Sequence, residues 1–262
     1  MKQKATLSKV NIRQRAAGLL FPKVCPLCGA ILKNPILKEE NLKAGDNPYI
    51  CGKCYKKLDF ADGKSRCLKC SRPLDDEDGQ LCRDCLEKER QFDLGQALML
   101  HGEGARKILY DLKYYGMKDN RDFLALEMAE RLGPWISRTR PEVVIPVPLH
   151  RKRFRERGYN QAEELAEGIS FFLECMGRGK LPVDSCYLER VHETSPLKEM
   201  SGTERARSIS GVFRVNGAQG LYKSVLLVDD IFTTGATLNE CAKTLKQAGT
   251  DVVYFMTVSI GS

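Results

Sequence analysis

Residues 225–238, VLLVDDIFTTGATL, restrict the fold of this chain more than any other stretch. Val225 to Asp229 is an apolar run that ends on a carboxylate. Such a run predicts a buried strand of an open α/β sheet, and ligands of those sheets gather at the carboxyl edge. Asp229 and Asp230 suit two tasks there: accepting hydrogen bonds from a sugar diol and presenting oxygens to Mg²⁺ or its waters. Thr233, Thr234, Gly235, Ala236 and Thr237 follow, and they are small enough for successive backbone amides to wrap an anion. The loop runs into a helix whose N-terminus favours negative charge. Thr237 and Glu240 have the spacing of a capping box at that start. A lone acid pair would read as solvated surface; the pair, the small-residue loop and the helix together predict an anion site.

Periodicity places further elements around this one. Strands are expected at Leu98–His101, Val143–Val147, Cys186–Leu188, Val212–Val215, Lys223–Asp230 and Asp251–Ser259. Helices are expected at 6–21, Ala105–Tyr115, Phe123–Ile136, Asn160–Leu173 and Thr237–Ala248. Strands alternating with helices predict an α/β domain over 91–262, a mostly parallel sheet covered by helices on both faces. Residues 22–90 are rich in Cys, Gly, Pro and charge and lack long apolar periodicity, so they need a staple other than a core. Residues 1–21 form a separate basic arm.

Eight of eleven cysteines supply that staple, in four C-x-x-C pairs: Cys25/Cys28, Cys51/Cys54, Cys67/Cys70 and Cys82/Cys85. The start of the chain has no segment with the form of a secretory signal, which favours metal ligation in a reducing, cytoplasmic compartment over disulfides. Taken in order, the pairs give two all-sulfur structural Zn²⁺ sites, Cys25/Cys28/Cys51/Cys54 and Cys67/Cys70/Cys82/Cys85; a cross-braced pairing is the alternative. Such closed sites leave no coordination position for catalysis. Cys175, Cys186 and Cys241 stand alone and are expected to be buried small apolar residues. His101, His150 and His192 have no metal-binding or dyad spacing.

The formal charge of +8 is uneven, because residues 1–21 hold Lys2, Lys4, Lys9, Arg13 and Arg15 with no acid. Two Zn²⁺ on eight thiolates bring the whole to about +4. The basic excess is therefore weak evidence for a nucleic-acid partner. No apolar run approaches a membrane span.

The 225–238 segment resembles the signature of type I phosphoribosyltransferases. In them the two acids hold ribose hydroxyls and the Thr/Gly loop holds the 5′-phosphate of 5-phosphoribosyl-1-pyrophosphate. Where the purine-salvage branch has an Asp acting on the base, this chain has Thr233, which argues against purine salvage. Further stretches are similar to the ComF family of competence-related proteins: LFPKVCPLCG at 20–29, ICGKCYKKL at 50–58, YDLKYYG at 110–116 and IPVPLHRKRFRERGYNQAEELA at 145–166. The resemblance implies a phosphoribosyltransferase-like domain behind an N-terminal double zinc ribbon, with DNA-uptake proteins as partners.

It also implies residues opposite the phosphate loop. The departing pyrophosphate needs positive charge and backbone donors. Lys113 is implicated by the family, and Arg151 by its place after a strand. Arg157, Gly158, Tyr159 and Asn160 lead into a helix where a Gly allows close approach to an anion. Residues 192–210 correspond to a closing loop, with Lys198, Arg205 and Arg207 as its charge donors. Catalysis would rest on Asp229 and Asp230. Two functions follow. One is Mg²⁺-dependent phosphoribosyl transfer with release of pyrophosphate. The other is a non-catalytic accessory protein of DNA uptake that binds single-stranded DNA or nucleotides. Few aromatic residues lie near the basic stretches in sequence, Phe154 and Tyr159 excepted, which gives a stacking platform little support.

Overall fold

A computed structural model describes residues 23–32, 47–63, 65–74, 79–116, 118–192 and 211–261. The expected helix at 6–21 and the charge donors Lys198, Arg205 and Arg207 lie outside the described residues. The chain forms two compact units, Met1–Lys57 and Leu58–Ser262. The first holds one cysteine cluster and the short helix α1, Gly52–Tyr55. The second holds the other cluster, the helix α2 (Arg83–Glu87) and all of the α/β sheet.

In the second unit β1 (Leu94–Leu100) leads to helices α3 (Glu103–Tyr114) and α4 (Lys118–Thr139). Next come β2 (Val143–Pro146), α5 (Arg151–Arg157) and α6 (Gln161–Cys175). A small antiparallel pair follows, β3 (Leu188–Arg190) with β4 (Phe213–Val215). The chain closes with β5 (Ser224–Phe232), α7 (Ala236–Gln247) and β6 (Val252–Ile260). The main sheet has the order β1-β6-β5-β2, and every pairing in it is parallel. Outside it, the backbone of Asp59 and Ala61 hydrogen-bonds β1 at Leu100 and Leu98, which covers an edge that would otherwise be open.

Period-two alternation sends the sheet's side chains into two layers. Val225, Leu227, Val253 and Phe255 share a core with Leu238, Cys241 and Leu245 of α7. On the other face α6 packs on β2 and β5, and α4 packs on β1. The expected α/β architecture, a parallel sheet with helices on both faces, is the one observed. Its aromatic centre is Phe92, Phe232 and Phe255: the last two stack at 5.1 Å, and Phe92 meets Phe255 edge-on at 4.8 Å. Gly95 allows this, since a Cβ there would fall 2.0 Å from the Phe255 ring.

Three local expectations are corrected. No helix is expected over 151–157, yet α5 forms there, capped by His150 Nδ1 accepting from the Lys152 amide. The Thr237–Glu240 capping box does not form; Gly235 is the cap, and Glu240 accepts from the Gly211 amide at 2.7 Å instead. Of the isolated cysteines only Cys241 is buried, while Cys175 and Cys186 are exposed. Among the described residues no helix is long and apolar enough to cross a membrane.

Candidate functional site

β2 and β5 lie side by side in parallel, Pro146 opposite Val228, so the loops that follow them emerge together at one sheet edge. The Val147 amide extends this pairing to the Val228 carbonyl at 2.9 Å. β5 runs on past the paired acids to Phe232, so Asp229 and Asp230 are held by strand backbone rather than by a loop. Asp229 Oδ1 accepts from the Asp230 amide at 2.8 Å. Asp230 is 7% exposed and pairs with Lys113 at the end of α3. Burial and the neighbouring Asp230 raise the Asp229 pKa well above the usual carboxylate range, against a smaller pull from Lys113. Two carboxylates crowded in this way favour a divalent cation, and oxygen donors suit Mg²⁺.

The loop beyond turns sharply into α7. Gly235 caps α7 in the left-handed region at φ 73°. The backbone amides of Thr233, Thr234 and Gly235 have no acceptor among the described residues, whereas the Ala236 amide donates to Thr234 Oγ1 at 3.4 Å. A Cβ on Gly235 would fall 2.5 Å from the Phe232 ring, so the aromatic core dictates a residue without a side chain here. Gly235→Ala should therefore lose about 1–3 kcal/mol of stability through strain and crowding. Denaturant unfolding checks it; an unaltered midpoint would show that the loop adapts.

Opposite this loop, the family-implied residues divide into two sets. Asn160 caps α6 by accepting from the Ala162 amide at 3.1 Å and donates to the Val147 carbonyl at 3.1 Å, so its amide holds the post-β2 loop in place. Gly158 ends α5 at φ 79°, and the Tyr159 hydroxyl donates to the Leu112 carbonyl of α3. Arg157 donates to Gln161 Oε1 at 2.8 Å and lies 5.5 Å from the Tyr114 ring centre. Arg151 reaches Glu189 on β3 at 3.0 Å, away from the acids. Tyr159 thus ties α3, which carries Lys113, to the α5–α6 junction. His101 is also nearby: its ring meets Ser259 Oγ at 3.0 Å, and burial with Arg106 and Lys113 lowers its pKa.

The cysteines form the two sequential clusters, not a cross-braced set. Within Cys25/Cys28/Cys51/Cys54 and within Cys67/Cys70/Cys82/Cys85 all sulfurs lie inside 4.8 Å of one another. Cys28–Cys51 and Cys70–Cys82 are 3.7 and 3.6 Å apart. Tetrahedral Zn–S bonds of about 2.3 Å put sulfurs about 3.8 Å apart, so both clusters fit structural Zn²⁺. A hydrogen bond from Cys70 lowers the Cys85 pKa to about 5, and the same bond with burial drives Cys70 upward. The knuckles share one turn. Gly29 takes it at φ 71°, whereas Ser71 takes it at φ 69° with a side chain. That side chain is occupied: Ser71 Oγ accepts from Arg66 at 2.9 Å and from the Ala97 amide of β1 at 3.2 Å.

Two arginines, one between Cys70 and Cys82 and one beyond Cys85, reach the loop after β5, and sequence reasoning passed over both. Arg72 donates to the Thr233 carbonyl at 2.7 Å, and Arg90 to the Thr234 carbonyl at 3.0 Å. They look like ordinary surface cations in a charged segment, and nothing local marks their target.

Residues 16–86 match the family model described as double zinc ribbon domain. The chain is 36% identical over 115 residues to Competence protein F of Haemophilus influenzae, a match covering 43% of this chain and 48% of that protein. It therefore spans about half the length of that relative. It is 27% identical over 230 residues to Competence protein ComFC of Streptococcus pneumoniae, across 86% of this chain and 94% of that one. Among solved structures, a purine phosphoribosyltransferase from Pyrococcus horikoshii aligns at 14% identity with a TM-score of 0.31, over 52% of this chain and 73% of that one. That overlap is too low to add to the strand order and register. Two four-cysteine clusters, a double zinc ribbon match and similarity to ComFC along nearly the whole chain make this protein similar to the ComF family.

Proposed function

We propose that the carboxyl edge of β5 binds 5-phosphoribosyl-1-pyrophosphate with Mg²⁺, and that the protein transfers the phosphoribosyl group in a DNA-uptake setting. One observation carries this reading: crowded carboxylates Asp229 and Asp230 precede three amides that have no acceptor among the described residues, just before α7. The amides and hydroxyls of Thr233, Thr234 and Thr237 hold the 5′-phosphate, with Gly235 and Ala236 allowing close approach. Asp229 and Asp230 accept from the ribose hydroxyls and fix the ring. The same carboxylates would hold Mg²⁺, which would supply charge neutralisation to the departing pyrophosphate. The C1–O bond breaks with its electron pair leaving on pyrophosphate, and the acceptor's lone pair forms the new bond at C1. Lys113 can exchange Asp230 for the leaving oxygens, and Arg157 lies in the loop alongside. Eight cysteines kept as thiolates suit the cytoplasm. A pyrophosphate-release screen over nucleobases and single-stranded DNA tests transfer; release by no acceptor, with the ligand bound, would leave binding and remove turnover.

A second reading, binding of single-stranded DNA, gains from the fold. Tyr110 and Tyr114 on α3 and Tyr115 just after it are 54, 56 and 68% exposed. Their rings cluster, Tyr110 lying 4.7 Å from Tyr114 and 6.0 Å from Tyr115. Arg157 brings this cluster to the α5 helix, which bears Arg151, Lys152, Arg153 and Arg155. Folding thus joins aromatic and basic residues that the sequence keeps apart, which corrects the expectation of few aromatics near the basic run. Replacing Tyr114 and Tyr115 by Ala should weaken single-stranded DNA binding roughly tenfold and leave its salt dependence in place. Unchanged affinity in a salt titration would exclude this surface.

A further inference from the structure

The second cysteine cluster and the phosphate loop are joined by two guanidinium groups. Arg72 lies between Cys70 and Cys82. One of its nitrogens holds Asp84 of α2 at 2.7 Å and another holds the Thr233 carbonyl at 2.7 Å. Asp84 itself stands between Cys82 and Cys85, so both arms of the metal cluster locate this arginine. Lys88 adds to Asp84 at 2.5 Å, and Lys88, ahead of Arg72, holds that carboxyl below its usual range. Arg90 is almost wholly buried, its side chain 6% exposed, and it donates to the Thr234 carbonyl at 3.0 Å. Its guanidinium also lies 5.9 Å from the ring centre of Phe92, which packs against Phe232 beneath the loop. One more bond ties the same segment to α7, from the Gln91 amide to Asn239 Oδ1 at 2.8 Å.

In a trans peptide the carbonyl and the next amide N–H point in opposite directions. No cis bond occurs in the described residues, so fixing the carbonyls of Thr233 and Thr234 also aims the N–H groups of Thr234 and Gly235 the other way. These two amides are among the three that lack acceptors among the described residues. A charged donor on each carbonyl also polarises its peptide and makes the attached N–H a stronger donor.

We propose that Arg72 and Arg90 are positioning residues of the phosphate loop, aiming the Thr234 and Gly235 amides at the ligand's 5′-phosphate while the Cys67/Cys70/Cys82/Cys85 cluster holds Arg72 and Asp84 in place. The proposal rests on the reading of 233–237 as a phosphate site. It gives the second zinc ribbon a role in ligand affinity besides stability. Arg72 and Arg90 act through backbone, on the side of the loop away from the anion, and do not touch the ligand.

The test compares two probes that use different parts of the site. Ribose 5-phosphate needs the loop amides, and Mg²⁺–pyrophosphate does not. Both are titrated calorimetrically into the full-length zinc-loaded protein and into Arg72→Met, Arg72→Lys and Arg90→Met. Zinc content and the backbone amide resonances of Thr234 and Gly235 are measured alongside. Loss of a charged hydrogen bond should weaken ribose 5-phosphate binding roughly tenfold in Arg72→Met, with part restored in Arg72→Lys. Mg²⁺–pyrophosphate affinity should stay as in wild type, and the two resonances should move before any ligand is added. Folded variants with unmoved resonances and unchanged ribose 5-phosphate affinity would overturn the proposal. Equal losses for both probes would overturn it too, by pointing to general damage. If the Met variants fail to fold, Arg72→Lys decides alone, since one ammonium cannot serve Asp84 and Thr233 as the guanidinium does. Wild type binding neither probe would bring down the phosphate-site reading itself, and this proposal with it.

Discussion

Replacing Asp229 and Asp230 together by Asn is expected to cut Mg²⁺-dependent binding of 5-phosphoribosyl-1-pyrophosphate by about 100-fold or more, with the fold retained. Two charge-assisted contacts are lost at once, each worth about 1.5–3 kcal/mol. The fold tolerates the change because the charges conflict with it. Asp229 is held well above its usual pKa by burial and by Asp230, so its ionised form is disfavoured where no cation offsets it. Asn at 229 removes that cost. Asn at 230 leaves Lys113 without its carboxylate, but Lys113 keeps a fifth of its side-chain surface in water. Native circular dichroism with lost affinity is the expected pair of results; native circular dichroism with full affinity would show that the carboxylates do not meet the ligand.

Stripping the metals should have the largest effect on stability. Structural Zn²⁺ contributes about 10–16 kcal/mol to small metal-bound modules, comparable to the whole stability of a typical domain. Cys67, Cys70 and Cys82 belong to the same buried cluster as Phe92, Val225 and Phe255. Loss of the second ion therefore loosens the sheet's core as well as the ribbon. Elemental analysis should find two zinc ions per chain, and strong chelation should lower the unfolding temperature of the 58–262 unit by about 10 °C or more. A metal-free chain that melts where the loaded one does would refute this account of the ribbon.

Much of this was legible from residue order, and the exceptions share a cause. The VLLVDD run announced β5, and apolar periodicity announced α3, α4, α6 and α7, each within a few residues of its observed bounds. C-x-x-C spacing announced both clusters. These are local signals, set by strand alternation, helix periodicity and knuckle turns. The capping box failed because Glu240 found the Gly211 amide, 29 residues away, a partner that no local pattern encodes. Arg72 and Arg90 were missed for the same reason, their acceptors lying 161 and 144 residues further along. Tyr114 stands 43 residues before Arg157 in the sequence, and only the fold shows that the two come to lie side by side.

Calorimetric titration of the intact, zinc-loaded protein with 5-phosphoribosyl-1-pyrophosphate, in Mg²⁺ and again in its absence, addresses the ligand site most directly. One ligand per chain, bound far more tightly with Mg²⁺ present, is the expected result. No measurable binding in either titration, or binding indifferent to Mg²⁺, would contradict a site built from Asp229, Asp230 and the loop that follows them.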